Sequence, residues 1–183
     1  MSPQPSLTTE HLILRPLHGH DAGPICTLLN SDPSISAMTL LIPYPCSLEA
    51  VQRWIADFQQ YWLQRNGIAY AICHRGSQQI IGAISLVSLE TAHPEIGYWL
   101  EPAFRQQGLG TEASRMLCQF AFNELGIEKI YGCHLPQNTA SGRVLLKCGF
   151  HSLGLRVVFL NTLQRQETVA VYMMEPSRMQ LSA

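Results

Sequence analysis

Arg105-Gln106-Gln107-Gly108-Leu109-Gly110-Thr111 places one cation, two amide side chains and two glycines in seven residues, a set suited to an anion. Glu95-Ile-Gly-Tyr-Trp-Leu100 before it reads as a strand, and the amphipathic spacing from Thr111 to Leu125 reads as a helix. The seven residues therefore turn from strand into helix. A helix's first turn leaves several N–H groups without intrahelical partners and carries the positive end of the dipole, so Gln107 to Thr111 are expected to cradle a pyrophosphate while Arg105 adds charge. A P-loop would need a Lys-Ser/Thr pair where Thr111-Glu112 stands, and a dinucleotide fingerprint would need a third glycine. Taken alone, the loop also fits a glycine-containing turn capping an ordinary surface helix.

The elements that must position this loop are legible in order. A strand is expected at about His11 to Arg15, then a helix from an Asp21 N-cap through Leu29. Asn30 to Cys46 is proline-rich and reads as an irregular loop with an apolar surface. From Ser47, the residues Val51, Trp54, Ile55, Phe58, Tyr61 and Trp62 keep a helical stripe to about Gln64. This stripe reads as core, with an alternative in which Trp54, Phe58 or Trp62 lines an acceptor groove together with Pro43 to Pro45. Ile68 to His74 and Ile80 to Leu89 read as a hairpin through Arg75 to Gln79, followed by the strand Glu95 to Leu100. The next helix is expected to bury Ala113, Met116, Leu117, Phe120 and Ala121 and to end at Gly126. A strand at Ile127 to Leu135, a short helix from an Asn138 cap to Gly149, and strands at about Ser152 to Leu160 and Thr168 to Met174 complete the chain.

No linker or repeat divides these 183 residues, so residues 1–183 are expected to form a single domain. With 12 Lys plus Arg against 13 Asp plus Glu, there is no basic field for nucleic acid. The start lacks a signal-peptide pattern, and no apolar run is long enough for a bilayer, so a soluble, cytoplasmic protein is expected. The six cysteines are far apart and are expected to be reduced; seven histidines lack ligand spacing, so no metal is expected.

The order β-α-α-β-β-β-α-β-α-β-β resembles the GNAT superfamily of N-acetyltransferases, whose acetyl-CoA loop has the pattern Arg/Gln-x-x-Gly-x-Gly/Ala seen from Arg105 to Gly110. A second motif of the family is matched by Asn138-Thr-Ala-Ser-Gly-Arg-Val-Leu-Leu-Lys-Cys-Gly-Phe150. Thr9-Glu-His-Leu-Ile-Leu-Arg-Pro-Leu17 and Glu95-Ile-Gly-Tyr-Trp-Leu100 look like the RimJ/RimL branch, the protein N-terminal acetyltransferases. The resemblance covers most of the chain. It implies an α/β (α+β) fold: a mixed, mostly antiparallel sheet of about seven strands, flanked by about four helices and splayed between the fourth and fifth strands. It also implies acetyl-CoA as co-substrate. Backbone groups of Tyr98, Trp99 and Leu100 would pair with the pantetheine arm, Arg105 to Thr111 would hold the pyrophosphate, and Asn138 would bond near the thiol end. Asn138 is equally suited to capping its helix.

The chemistry implied needs an amine that loses its proton, a polarised thioester carbonyl and a protonated leaving thiolate. An α-amine with a pKa of about 8 asks less of a base than a lysine at about 10.4. The tyrosine that serves many GNAT members as acid is replaced here by Leu145, whereas Ser141 stands where the RimJ/RimL branch has its proposed acid. The strand after Gly149-Phe150 holds no carboxylate, which leaves Glu95, His134 or a water as base, with Glu95 preferred. The acceptor expected is a protein or peptide N-terminus. The alternatives are a small amine such as a polyamine, an aminoglycoside or an amino-acid derivative, or a non-catalytic acyl-CoA-binding module; a monomer or a homodimer fits each.

Overall fold

Strand residues alternate between two separate apolar cores, one on each face of a single sheet. In the strand β3 (Gly67–His74), Ile68, Tyr70 and Ile72 enter one core while Ala69, Ala71 and Cys73 enter the other. Burial on both faces explains why the strand reads as a continuous apolar run. The computed structural model describes residues 3–160 and 164–179.

Among the described residues the sheet has eight strands, in the order β1-β2-β3-β4-β5-β6-β8-β7. They are β1 (Leu7–Thr8), β2 (Leu12–Pro16), β3, β4 (Ile80–Val87), β5 (Glu95–Leu100), β6 (Ile130–His134), β7 (His151–Leu160) and β8 (Arg165–Met174). The two-residue β1, which adds an edge to β2, is too short to show in a hydrophobic pattern. Every pairing is antiparallel except β5 with β6, where only Glu95↔Tyr131 and Ile96↔Gly132 are in register. Beyond Ile96 the two strands part, which is the expected splay.

One face carries α1 (Ala22–Ser31), α2 (Pro33–Ala37) and α3 (Leu48–Gln64), and the other carries α4 (Leu109–Glu124) and α5 (Thr139–Cys148). Ser47 caps α3 through Ala50 N at 3.1 Å, and Val51, Ile55 and Phe58 are its buried stripe. Trp54, Tyr61 and Trp62 are half-buried; Trp62 packs against the opposite core from Trp54 and Tyr61. A short α6 (Pro176–Met179) follows β8, and among the described residues no helix is long and apolar enough to cross a membrane.

Several local expectations are corrected. The proline-rich stretch contains α2, because Asp32 Oδ1 accepts from Ser34 N at 2.7 Å and Pro33 occupies the first turn, where its missing N–H costs nothing. Asp21 does not cap α1 with its side chain: Arg15 holds both its carboxylate oxygens, at 2.8 and 2.7 Å, and His18 N donates to one of them at 2.8 Å. On α4, Met116 and Phe120 are only half-buried while Ser114, Cys118 and Phe122 are buried. Packing against α5 as well as the sheet turns the buried stripe toward α5; Cys148 Sγ reaches the Thr111 carbonyl at 3.6 Å. Strand β6 begins only at Ile130, because Ile127 N closes the preceding helix on the Ala121 carbonyl at 3.1 Å, with Gly126 at φ +67.

Candidate active site

The parting of β5 and β6 leaves an unpaired backbone edge, and the pleat decides which residues own it. Glu101 N donates to the Ile81 carbonyl at 2.8 Å, and Pro94 O accepts from Tyr131 N at 2.7 Å, so odd-numbered groups face β4 and even-numbered groups face β6. Of the three residues expected to meet the pantetheine arm, Tyr98 and Leu100 thus turn their backbone groups to the open edge. Trp99 turns its own to Ala83 on β4. The Leu100 carbonyl already accepts from Arg105 Nε at 3.0 Å.

The two glycines of the loop do different work. Gly108, exposed at φ +83, is the left-handed residue that starts α4, and a Cβ there would meet nothing within 4 Å. It leaves the free N–H groups of the first turn facing open space. Gly110 is buried, and a Cβ on it would lie 3.2 Å from the Tyr98 ring, so its glycine serves helix-to-strand packing. Arg105 does not extend into the cradle; its Nη1 donates to Ser34 Oγ on α2 at 3.0 Å. Gln106 and Gln107 are exposed, and Gln107 Nε2 donates to the Ala103 carbonyl at 2.8 Å. A helix start with free first-turn N–H groups beside an open strand edge suits acetyl-CoA, which carries a pyrophosphate and a pantetheine arm.

Across the splay, Asn138 caps α5: its Oδ1 accepts from Ser141 N at 3.2 Å. Its Nδ2 donates to the Met38 carbonyl at 2.9 Å, so both ends of this side chain are engaged. The Ser141 hydroxyl makes no bond to the backbone among the described residues. Instead Ser141 Oγ accepts from the Tyr98 hydroxyl at a long 3.5 Å. Burial pushes the Tyr98 phenol above its ordinary value, outweighing the opposing bond to Ser141, so it stays a proton donor.

Glu95 and Cys133 face each other where the strands begin to part, and the Cys133 thiol donates to Glu95 Oε1 at 2.8 Å. Burial, with the neighbouring carboxylate, pushes that thiol far up, so it is a donor and not a nucleophile. His134 is a weaker candidate base. A carbonyl can only accept, so the 2.8 Å contact to Leu135 O puts a proton on Nδ1, and Nε2 lies 3.3 Å from the Tyr172 hydroxyl. Gly142 closes over that nitrogen, 2.7 Å from where its Cβ would stand.

These groups share one cavity of about 650 Å³. Glu95, Tyr98, Trp99, His134, Asn138 and Ser141 line it, together with Trp54 and Phe58 of α3 and Pro43 of the preceding loop; Trp62 does not. Leu100 and Arg105 to Thr111 do not line it. Sequence reasoning missed the side-chain roles of Tyr98 and Cys133, since alternation along a strand does not say what stands across the sheet. His18, His20 and Asp21 also offer ligand atoms within 4.8 Å of one another, but both Asp21 oxygens are bound to Arg15. All six cysteines are free thiols.

The acetyltransferase (GNAT) domain family matches residues 11–151, and the chain belongs to that family. It is an acetyl-CoA-dependent N-acetyltransferase. The uncharacterized N-acetyltransferase YoaA of Bacillus subtilis is 29% identical over 156 residues, covering 82% of this chain and 85% of its own length. RimL, a ribosomal L7/L12 alpha-N-protein acetyltransferase solved with coenzyme A, superposes with a TM-score of 0.81 at 19% identity, over 93% of this chain and 98% of RimL. The ribosomal-protein-S5-alanine acetyltransferase of Vibrio fischeri gives 0.80 at 16% identity, over 94% and 97%. The fold is the GNAT fold.

Proposed function

We propose that this enzyme acetylates the α-amino group of a protein or peptide N-terminus by direct attack, with both substrates bound together. One observation carries the reading: the Ser141 hydroxyl and the Glu95 carboxylate line the same cavity, one on each side of the splayed edge. Bound acetyl-CoA supplies the thioester. Glu95 takes a proton from the amine, whose nitrogen forms the new bond to the acetyl carbon. As the C–S bond breaks, Ser141 gives its proton to the departing sulfur and is reprotonated through solvent as Glu95 releases the proton it took, and the long contact to Tyr98 holds the Ser141 lone pair so that the hydroxyl proton is free for transfer. Tyr98 N–H and the first-turn N–H groups from Gly108 onward hold the co-substrate. RimL and the S5 enzyme, acetyltransferases of ribosomal proteins, lend support through shared fold.

A small-amine acceptor is the second reading, favoured by one fact: a cavity of 650 Å³ suits a small molecule, or only the first residue or two of a chain. Thiol release from acetyl-CoA across a panel of peptides, polyamines and aminoglycosides decides between them. The proposal expects kcat/KM for a good peptide at least about tenfold above any small amine, a specificity of ordinary size. Equal or better turnover of a small amine overturns it.

A further inference from the structure

The acceptor end of the cavity has a composition that selects its substrate. Its walls are apolar: Ile25 and Leu29 of α1, Leu41 and Ile42 of the following loop, and Trp54 and Phe58 of α3. Among all the described residues lining the cavity, the only formal charges are the carboxylates of Asp57 and Glu95, and no lysine or arginine is present. Asp57 is exposed on α3, whereas Glu95 is half-buried at the splay.

We propose that the acceptor is a cationic α-amine on a residue with a bulky aliphatic or aromatic side chain, in peptide or amide linkage, and that free amino acids are rejected. The inference rests on the acetyltransferase reading and narrows its substrate class. A protonated amine is attracted by the two carboxylates, and an apolar side chain finds Ile25, Trp54 and Phe58 to bury against. A free amino acid would bring its own carboxylate within two bonds of the amine, next to Glu95, where nothing positive compensates it. A peptide carbonyl at the same place carries no charge. An acidic first side chain meets the same repulsion.

The test compares phenylalaninamide with free phenylalanine, and peptides beginning with Phe, Leu, Gly or Asp, using the full chain with acetyl-CoA. Thiol release is one readout. The other is intrinsic tryptophan fluorescence in the presence of CoA, since Trp54 and Trp99 line the cavity and report binding without turnover. Phenylalaninamide is expected to exceed free phenylalanine by at least about thirtyfold in kcat/KM and in affinity, and Phe- or Leu-first peptides to exceed Asp-first peptides similarly, as one uncompensated like-charge contact implies. Asp57→Lys is expected to reduce the amide preference at least about threefold, circular dichroism confirming the fold. Equal use of amide and free acid, equal use of Asp- and Phe-first peptides, or an unchanged preference in Asp57→Lys overturns the inference. Absence of thiol release with every amine overturns the acetyltransferase reading instead, and the fluorescence preference then judges this one separately.

Discussion

Asn138 Nδ2 donates to the Met38 carbonyl at 2.9 Å, joining residues one hundred positions apart. Arg105 does the same for α2, through Ser34 Oγ at 3.0 Å. Two residues expected on the cofactor therefore hold α2 and the segment after it, which lines the cavity. Asn138→Ala should lower stability by about 1 kcal/mol through the lost cap. It should also raise hydrogen exchange selectively in residues 38–46. Protection of that loop equal to the parent would mean that Asn138 acts on α5 alone.

The two glycines offer a test that separates the proposed cofactor cradle from packing. Gly108→Val puts a branched residue at φ +83 on the surface, so acetyl-CoA affinity should fall at least about tenfold in a folded protein, through strain of about 1–3 kcal/mol and obstruction of the first-turn N–H groups. Gly110→Ala instead pushes on the Tyr98 ring from 3.2 Å. Its larger effect should be on stability, about 1–3 kcal/mol by overpacking. Calorimetric titration with acetyl-CoA and thermal unfolding of both variants separate the two; unchanged affinity in Gly108→Val removes the cradle from this loop.

Ser141→Ala should leave acetyl-CoA affinity nearly intact and lower kcat by about one hundredfold, the usual scale of general acid catalysis. Tyr98→Phe should lower kcat by about tenfold in the parent and by nothing in Ser141→Ala, because it acts through that hydroxyl. Burial raises the Tyr98 phenol, so it stays protonated throughout the neutral range, and the pH profile of kcat below pH 9 should be the same in Tyr98→Phe. Additive losses in the double variant would show that the two hydroxyls work independently.

Asp21 sets an acid limit on stability. Burial alone would raise its carboxyl, but the Arg15 guanidinium and the His18 N–H outweigh that and hold it below the model-peptide value of 3.8. A depressed folded value stabilises above the unfolded one, so this contribution is complete above about pH 5 and is lost as pH falls below 4 through the folded value. Asp21→Asn should cost on the order of 3 kcal/mol at pH 7, because the Arg15 charge loses its carboxylate, and progressively less as pH falls below 4. Urea unfolding of both proteins across this range checks it; a constant difference would mean that Asp21 contributes packing and not charge.

Local signals carried much of this molecule. Helix caps and glycine stops depend on neighbours a few residues away, so Ser47, Asn138, Gly126 and Gly149 marked helix ends from sequence alone. Alternation and helical spacing marked the strands and the amphipathic helices, and the paired motifs marked the family. What required the tertiary structure were interactions between distant residues of similar local character. Asp32-Pro33 was a readable helix start obscured by the prolines around it, whereas Asp21 looked like a cap until Arg15 was seen to claim both its oxygens. Trp99 was expected beside Tyr98 and Leu100, but pairing with β4 turned its backbone away from the open edge. Gly110, Tyr98 and Ser141 come from three elements, and only the packing of α4 and α5 on one sheet brings them together. Spacing along a chain reports which face a residue takes, while the partner on that face is chosen by contacts that close long loops.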